Sequence, residues 1–360
     1  MSRNSLPLET LPAEHLRLLP QKFHPHHELC FHLHDSMLRV FQELAAQRYP
    51  TLKLEFEDQE TADLFVASED PIGLLMELEE WDLVRRLTVG QSMMAVLGDF
   101  FNFVYEALNA LQKRKFVVFY ALLRKPLKEN LLYLTMMLVD DQKFFENLKE
   151  LPGEKFNHPG LTEQERRDYF ERAVAEMDFA DFIDPKRLHD VIFDMKLEDG
   201  LAPLFDKATH LSTSRSQIRT EDLNLNFIFK NPMSNDVFEN VYPKLAYVLL
   251  YAFLLELRLF QKAGFDTDRV AKWYTLTGLG AYNGLFGKGR CGIKDSLFSA
   301  FGDLATCPHC ESKISVQKYQ AARFFTSHKV RCEACDHDHD FPLLWLLSKM
   351  DWNIFEESED

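Results

Sequence analysis

This sequence predicts a mainly α protein: a large helical body with a few short strands, followed by a small C-terminal β module. Three observations lead there. Long stretches repeat apolar residues at steps of three and four, and only two short stretches alternate. Near the C-terminus, two Cys-x-x-Cys pairs face each other across 21 residues.

The body is expected over residues 1–295. From about Glu28 to Arg48, Cys30, Leu33, Met37, Phe41 and Leu44 form one stripe of an amphipathic helix. "LKLEF" then puts Leu52, Leu54 and Phe56 on one side, as a strand does. In "LQKRKFVVFYALLRKPLKEN", six positive residues from Lys113 to Lys128 precede Glu129, and Pro126 must kink or restart a helix. A loop at 151–160 leads to a capping box, Thr162 with Glu165, and a helix burying Phe170, Ala173, Val174 and Met177. "LNLNFIF" alternates Leu223, Leu225, Phe227 and Phe229 as a second strand. Val237–Gly264 is apolar nearly all round and belongs in the middle of a bundle, with Gly264 as its left-handed stop. Six of the 14 glycines fall in Gly278–Gly292, which reads as a hinge or binding loop.

Composition narrows the function classes. With 360 residues, 46% apolar content and 31 phenylalanines, the chain has ample material for a core. A net charge of −15 argues against wholesale wrapping of nucleic acid and leaves room for a local basic patch. The most apolar run, Leu245–Leu255, has 11 residues, where a bilayer span needs about 20. No membrane association is expected. Cysteines grouped in Cys-x-x-Cys pairs fit metal binding in a reducing compartment, so the expected location is cytoplasmic.

Cys307, Cys310, Cys332 and Cys335 have the spacing a tetrahedral Zn²⁺ needs, since two residues between cysteines turn both sulfurs toward one ion. Residues 296–345 resemble a Cys₄ zinc ribbon, with "KISVQKY" and "RFFTSHKV" as its two strands and residues 346–360 as an acidic tail. Four thiolates leave no open coordination position, so a structural ion is expected. Lys313, Lys318, Arg323, Lys329 and Arg331, with Phe324 and Phe325 among them, could hold single-stranded nucleic acid by phosphate pairing and stacking. Alternatively, the phenylalanines form the ribbon's core and the charges solvate it. His309, His337 and His339 flank the cysteines; any could replace a cysteine or bind a second ion, and the plainer reading is a solvated acidic turn.

Other constellations are weaker. Five histidines in "FHPHHELCFHLHD" contain no His-x-x-x-His pair, and an exposed or pH-sensitive helix start fits them better than a metal site. "GLFGKGRCG" lacks the Gly and the Ser/Thr of a P-loop, although Lys288, Arg290 and Lys294 could greet an anion. "FYALLRKPLKENLLYLTMML" with "LFDKATHLSTSRSQIRTEDLN" resembles the helical pattern of bacterial HEPN-like proteins over residues 100–225. That resemblance implies a stress or phage-defence setting. The family's nuclease motif is Arg, four to six residues, then His; here Arg17–His24 lies among prolines and Arg323–His328 in the ribbon insert, neither on the family's helix. No catalytic residue carries over, and Arg124, Glu129 and His210 are the polar positions of interest. Two functions stay open: a zinc-binding, non-catalytic protein engaging nucleic acid or a protein partner, or a HEPN-like RNase or nucleotide-processing enzyme whose ribbon positions substrate.

Overall fold

The computed structural model describes residues 6–46, 56, 58–150, 161–214, 216, 219–223, 225, 226, 234–265, 267–288, 292–302, 305–343, 345 and 346. Among these the protein is mainly α. In chain order, α1 (Ala13–Leu16), α2 (His24–Ala46), α3 (Gln59–Ala67), α4 (Pro71–Glu77) and α5 (Trp81–Gln112) come first. α6 (Phe116–Lys125) passes through a π-helical turn, Pro126–Asn130, into α7 (Leu131–Val139) and α8 (Asp141–Glu150). Next are α9 (Glu163–Ala175), α10 (Pro185–Phe193), α11 (Ala202–Thr209), α12 (Asp236–Lys262) and α13 (Asp268–Phe286). α14 (Gly292–Phe301), α15 (Lys318–Ser327) and the antiparallel strands β1 (Lys329–Arg331) and β2 (Asp338–Asp340) complete the described chain.

α12 is the axis of the body, packed against α2, α7 and α13 and buried along most of its length. Its near-continuous apolar sequence leaves no polar face to turn to solvent, so it is surrounded. Gly264 follows its end with φ 86°, the left-handed stop expected there. Among the hydrogen bonds that tie α12 to its neighbours, Tyr251 Oη meets Thr135 Oγ1 at 2.8 Å and Tyr242 Oη meets His27 Nδ1 at 3.1 Å. The capping box forms as read, with Glu165 N donating to Thr162 Oγ1 and Thr162 N donating to Glu165 Oε2. Pro126 cannot donate a backbone hydrogen bond, and the helix absorbs this as the π-helical turn.

Three expectations about local structure change. Residues 52–55 of "LKLEF" and 224 and 227–229 of "LNLNFIF" lie outside the described residues. Leu223, expected to face inward on a strand, is instead exposed with φ 62°, in a turn. The glycine-rich stretch is no hinge through Phe286: it is the second half of α13. There the absence of side chains lets α15 approach. A Cβ at Gly280 would sit 2.5 Å from the Phe325 ring, and one at Gly284 would sit 2.8 Å from the Ala322 backbone nitrogen.

A smaller unit stands to one side. α3, α4 and the start of α5 pack around a separate core of Leu75, Val84 and Phe145, with Phe65, Ile72 and Leu83 against it.

Candidate metal centre

Each Cys-x-x-Cys pair sits in a tight turn, and the two turns repeat one backbone path. In the first, Cys307 N donates to Ser312 O and Glu311 N donates to Cys307 O, both at 2.9 Å. In the second, Cys332 N donates to His337 O at 3.0 Å and Asp336 N donates to Cys332 O at 2.8 Å. The residue after each second cysteine takes the left-handed conformation, Glu311 at φ 59° and Asp336 at φ 58°. β1 and β2 flank the second turn in the register Lys329–Asp340, Val330–His339 and Arg331–Asp338. Thr306 and Lys313 bridge across the first.

The turns bring the four sulfurs together. Cys307 Sγ lies 3.8 Å from Cys335 Sγ, Cys310 Sγ lies 3.6 Å from Cys332 Sγ, and all four fall within 4.8 Å of one another. A tetrahedral ion bound at about 2.3 Å to each sulfur would set its ligands about 3.8 Å apart, so the cage fits one small cation. Electrostatics agree. Hydrogen bonds from Ser312, side chain then backbone, hold Cys310 down to about 6, the ionised form a metal needs. Against a lowering backbone hydrogen bond at His337, desolvation and the other three thiols push Cys335 up to about 12. Four thiolates this close repel one another until a cation neutralises them. Among the described residues, this is the one group of three or more His, Cys, Asp or Glu placed to hold an ion.

The insert between the pairs departs from the expected hairpin. "KISVQKY" and most of "RFFTSHKV" do not form its strands. Lys318–Ser327 is α15, and β1 pairs with Asp338–Asp340 beyond the second cysteine turn. The reason lies in spacing: Ala321, Ala322, Phe324 and Phe325 recur at helical intervals and bury against α13. Phe324 and Phe325 are fully buried, which leaves no aromatic face for a base to stack on.

The five basic residues read as phosphate contacts are placed as follows. Lys313 is exposed. Lys318 Nζ donates to Gly287 O. Arg323 is buried, with Nη1 2.9 Å from Asp338 Oδ1 and Nη2 2.9 Å from Glu9 Oε1. Lys329 pairs with Glu9 at 2.6 Å, and Arg331 pairs with Asp338 at 3.0 Å. The partner Glu9 belongs to an N-terminal strap. Leu6 N donates to Tyr319 O, and the carboxylate of buried Glu28 accepts from Leu8 N and Thr10 N at 3.0 Å each. Residues 6–10 are thereby joined to α2, α15 and β1. Nothing in the local sequence of Glu9 signals this role. For α13 a signal existed, because Gly280-x-x-x-Gly284 is a small-residue spacing suited to close helix contact.

The remaining candidates resolve differently. His309 and His337 lie with ring centroids 4.9 Å apart beside the cysteine turns. The N-terminal histidines are not an exposed helix start. His27 and His34 are buried, and burial pushes His26 down to about 4, His27 to about 3 and His32 to about 4, keeping them neutral. Arg124 pairs with Glu129 at 3.4 Å across the π-helical turn. His210 is exposed at the end of α11, a helix that packs on the one carrying Arg124. Glu256 in α12 is fully buried with no hydrogen-bond partner at either oxygen, and burial raises its pKa well above the usual range, keeping it protonated. Lys294 pairs with Asp295, while residues 289–291 of the expected anion loop lie outside the described residues.

No protein-family model, curated protein or solved structure matches this chain. The likeness of residues 100–225 to HEPN-like proteins rests on sequence pattern alone. No described helix is long and apolar enough to cross a membrane.

Proposed function

We propose that Cys307, Cys310, Cys332 and Cys335 hold one structural Zn²⁺, and that the chain is a non-catalytic protein of the reducing cytoplasm that works by binding another protein. One observation carries the reading: four sulfurs converge to within 4.8 Å with no fifth ligand group in the cluster among the described residues, the donor set of a closed tetrahedral site. Soft thiolates select zinc or iron, and a closed site gives the ion the work of joining two turns rather than activating water. The pairing of Arg323, Lys329 and Arg331 with acids favours a protein partner over nucleic acid at this module, because phosphate would have to displace Glu9 and Asp338.

The test has two parts. Purified full-length chain should contain one zinc per molecule by elemental analysis, and its Co²⁺-exchanged form should show tetrathiolate ligand-field bands. Labelled single-stranded RNA and DNA should bind weakly at physiological salt. Tight binding that falls steeply with salt would move the function to nucleic acid. RNA cleavage abolished by Arg124→Ala or His210→Ala would move it to the HEPN-like enzyme reading.

A further inference from the structure

The unit made by α3, α4 and the start of α5 combines two properties that soluble surfaces usually keep apart. Between Lys53 and Arg85 there are eleven acidic residues and no Lys, Arg or His. The same short stretch exposes large apolar side chains: Leu64 at 56%, Val66 at 85%, Met76 at 43%, Leu78 at 40% and Trp81 at 37%. Those are five of the twelve exposed large hydrophobic residues described, gathered in 18 positions. The unit's core consists of three buried residues, Leu75 and Val84 with Phe145 supplied by α8, so the unit presents more large apolar groups to solvent than it encloses.

Local sequence explains how this arises. Asp58 and Asp70 cap α3 and α4 by accepting from Thr61 N and Gly73 N, and Pro71 opens α4, so both short helices are locally defined without deep burial. α3 packs on α4 and α4 on α5, which turns Phe65, Ile72 and Leu75 inward, while Leu64, Val66, Met76, Leu78 and Trp81 stay exposed. Glu60, Glu69, Glu77, Glu79 and Glu80 are exposed around them.

We propose that this unit is a docking site for a basic amphipathic helix of a partner protein. The proposal rests on the protein-binding reading above and names the surface and the chemistry of the partner. Charge selects the occupant. A second copy of the chain would bring the same acidic field against itself, and like charges across an interface cost several kcal/mol. Nucleic acid is repelled outright. A helix with Leu, Met or aromatic anchors at i, i+3, i+4 and i+7 and Lys or Arg on its flanks matches both the exposed apolar side chains and the acidic charge of the unit. The molecule already holds a small sample of that contact: Lys149 Nζ stands 3.5 Å from the Trp81 ring centroid.

The experiment uses full-length protein and a fluorescein-labelled 18-residue peptide of Leu, Trp, Lys and Arg arranged as an amphipathic helix. A shuffled peptide of the same composition, with no apolar face, is the control. We expect the amphipathic peptide to bind at least about tenfold more tightly than the shuffled one. Leu64→Lys and Met76→Lys should each weaken it by about tenfold, the loss of one well-placed anchor, while helix content and one zinc per chain are retained. Equal binding of both peptides would overturn the proposal by showing only non-specific attraction to acid. So would binding unaffected by either substitution, or a wild-type dimer that Leu64→Lys converts to monomer, since a second copy would then be the occupant. Each of these failures leaves the zinc content untouched; a chain without zinc, or one that cleaves RNA, would instead sink the reading beneath it.

Discussion

Around the cysteine turns, Arg323, Lys329 and Arg331 meet Glu9 and Asp338 at 2.6–3.0 Å. Between Lys53 and Arg85 the acidic side chains share a stretch with no base at all. In sequence the first region looks like the sticky one, a basic hairpin with phenylalanines. In three dimensions Arg323, Lys329 and Arg331 are matched internally and the phenylalanines are core, while the α3–α4 unit leaves both acids and large apolar side chains exposed. The contrast teaches that a charged motif says little about binding until its intramolecular partners are known. One partner here, Glu9, is more than 300 positions away from Arg323 in the chain.

Breaking the metal site should produce the largest effect. Cys332→Ser, or removal of zinc by a strong chelator, is expected to cost on the order of 5 kcal/mol or more of C-terminal stability. Thermal melting should lose its single transition, and hydrogen exchange should rise across α13 and α15 before the α3–α4 unit changes. Equal protection of α15 with and without zinc would show that packing alone holds this end.

Acid should act next, through the buried histidines of α2. Burial holds His26 at about 4, His27 at about 3 and His32 at about 4 in the folded state. The unfolded chain, titrating near 6.5, therefore takes up protons first, so stability is full above about pH 6.5 and falls as pH drops toward 4. Each unit of separation is worth about 1.4 kcal/mol. His26 packs against Phe23, Tyr242 and Phe286, and its buried Nδ1 has no hydrogen-bond partner. His26→Phe should therefore flatten the acid limb of a urea-midpoint series, and an unchanged slope would show that other groups set it.

Glycine substitutions sharpen the picture of α13. Gly284→Ala should cost about 1–3 kcal/mol by forcing α15 away. Gly98→Ala in α5, where a Cβ meets nothing within 4 Å, should be neutral or gain up to about 1 kcal/mol. Paired denaturation midpoints check both, and similar values would mean that α13 and α15 are not held by close contact.

The smallest effect belongs to the exposed side of the comparison. Val66→Asp should change stability by no more than about 0.5 kcal/mol. A larger loss would show that Val66 is covered in solution.

The legible part of this protein was local. Helical periodicity located α2, α9 and α12, Thr162 and Glu165 marked a helix start, and the four cysteines announced their own convergence. Misread elements were those whose pattern serves a distant contact. The phenylalanines of α15 looked like strand or stacking residues because the helix that buries them lies across the cysteine turn, and the glycines of α13 looked like a loop because the side chains they make room for belong to α15. The resemblance to HEPN-like proteins had no geometric counterpart strong enough to assign a site.

By itself the sequence determined the fold class, the four-cysteine cluster and the acidity of the α3–α4 unit, because periodicity, cysteine spacing and formal charge belong to neighbours along the chain. Only the tertiary structure decided which charges are matched, which histidines are neutral and which apolar residues face water. Those properties depend on desolvation and on partners brought together from remote positions, and no local pattern encodes them.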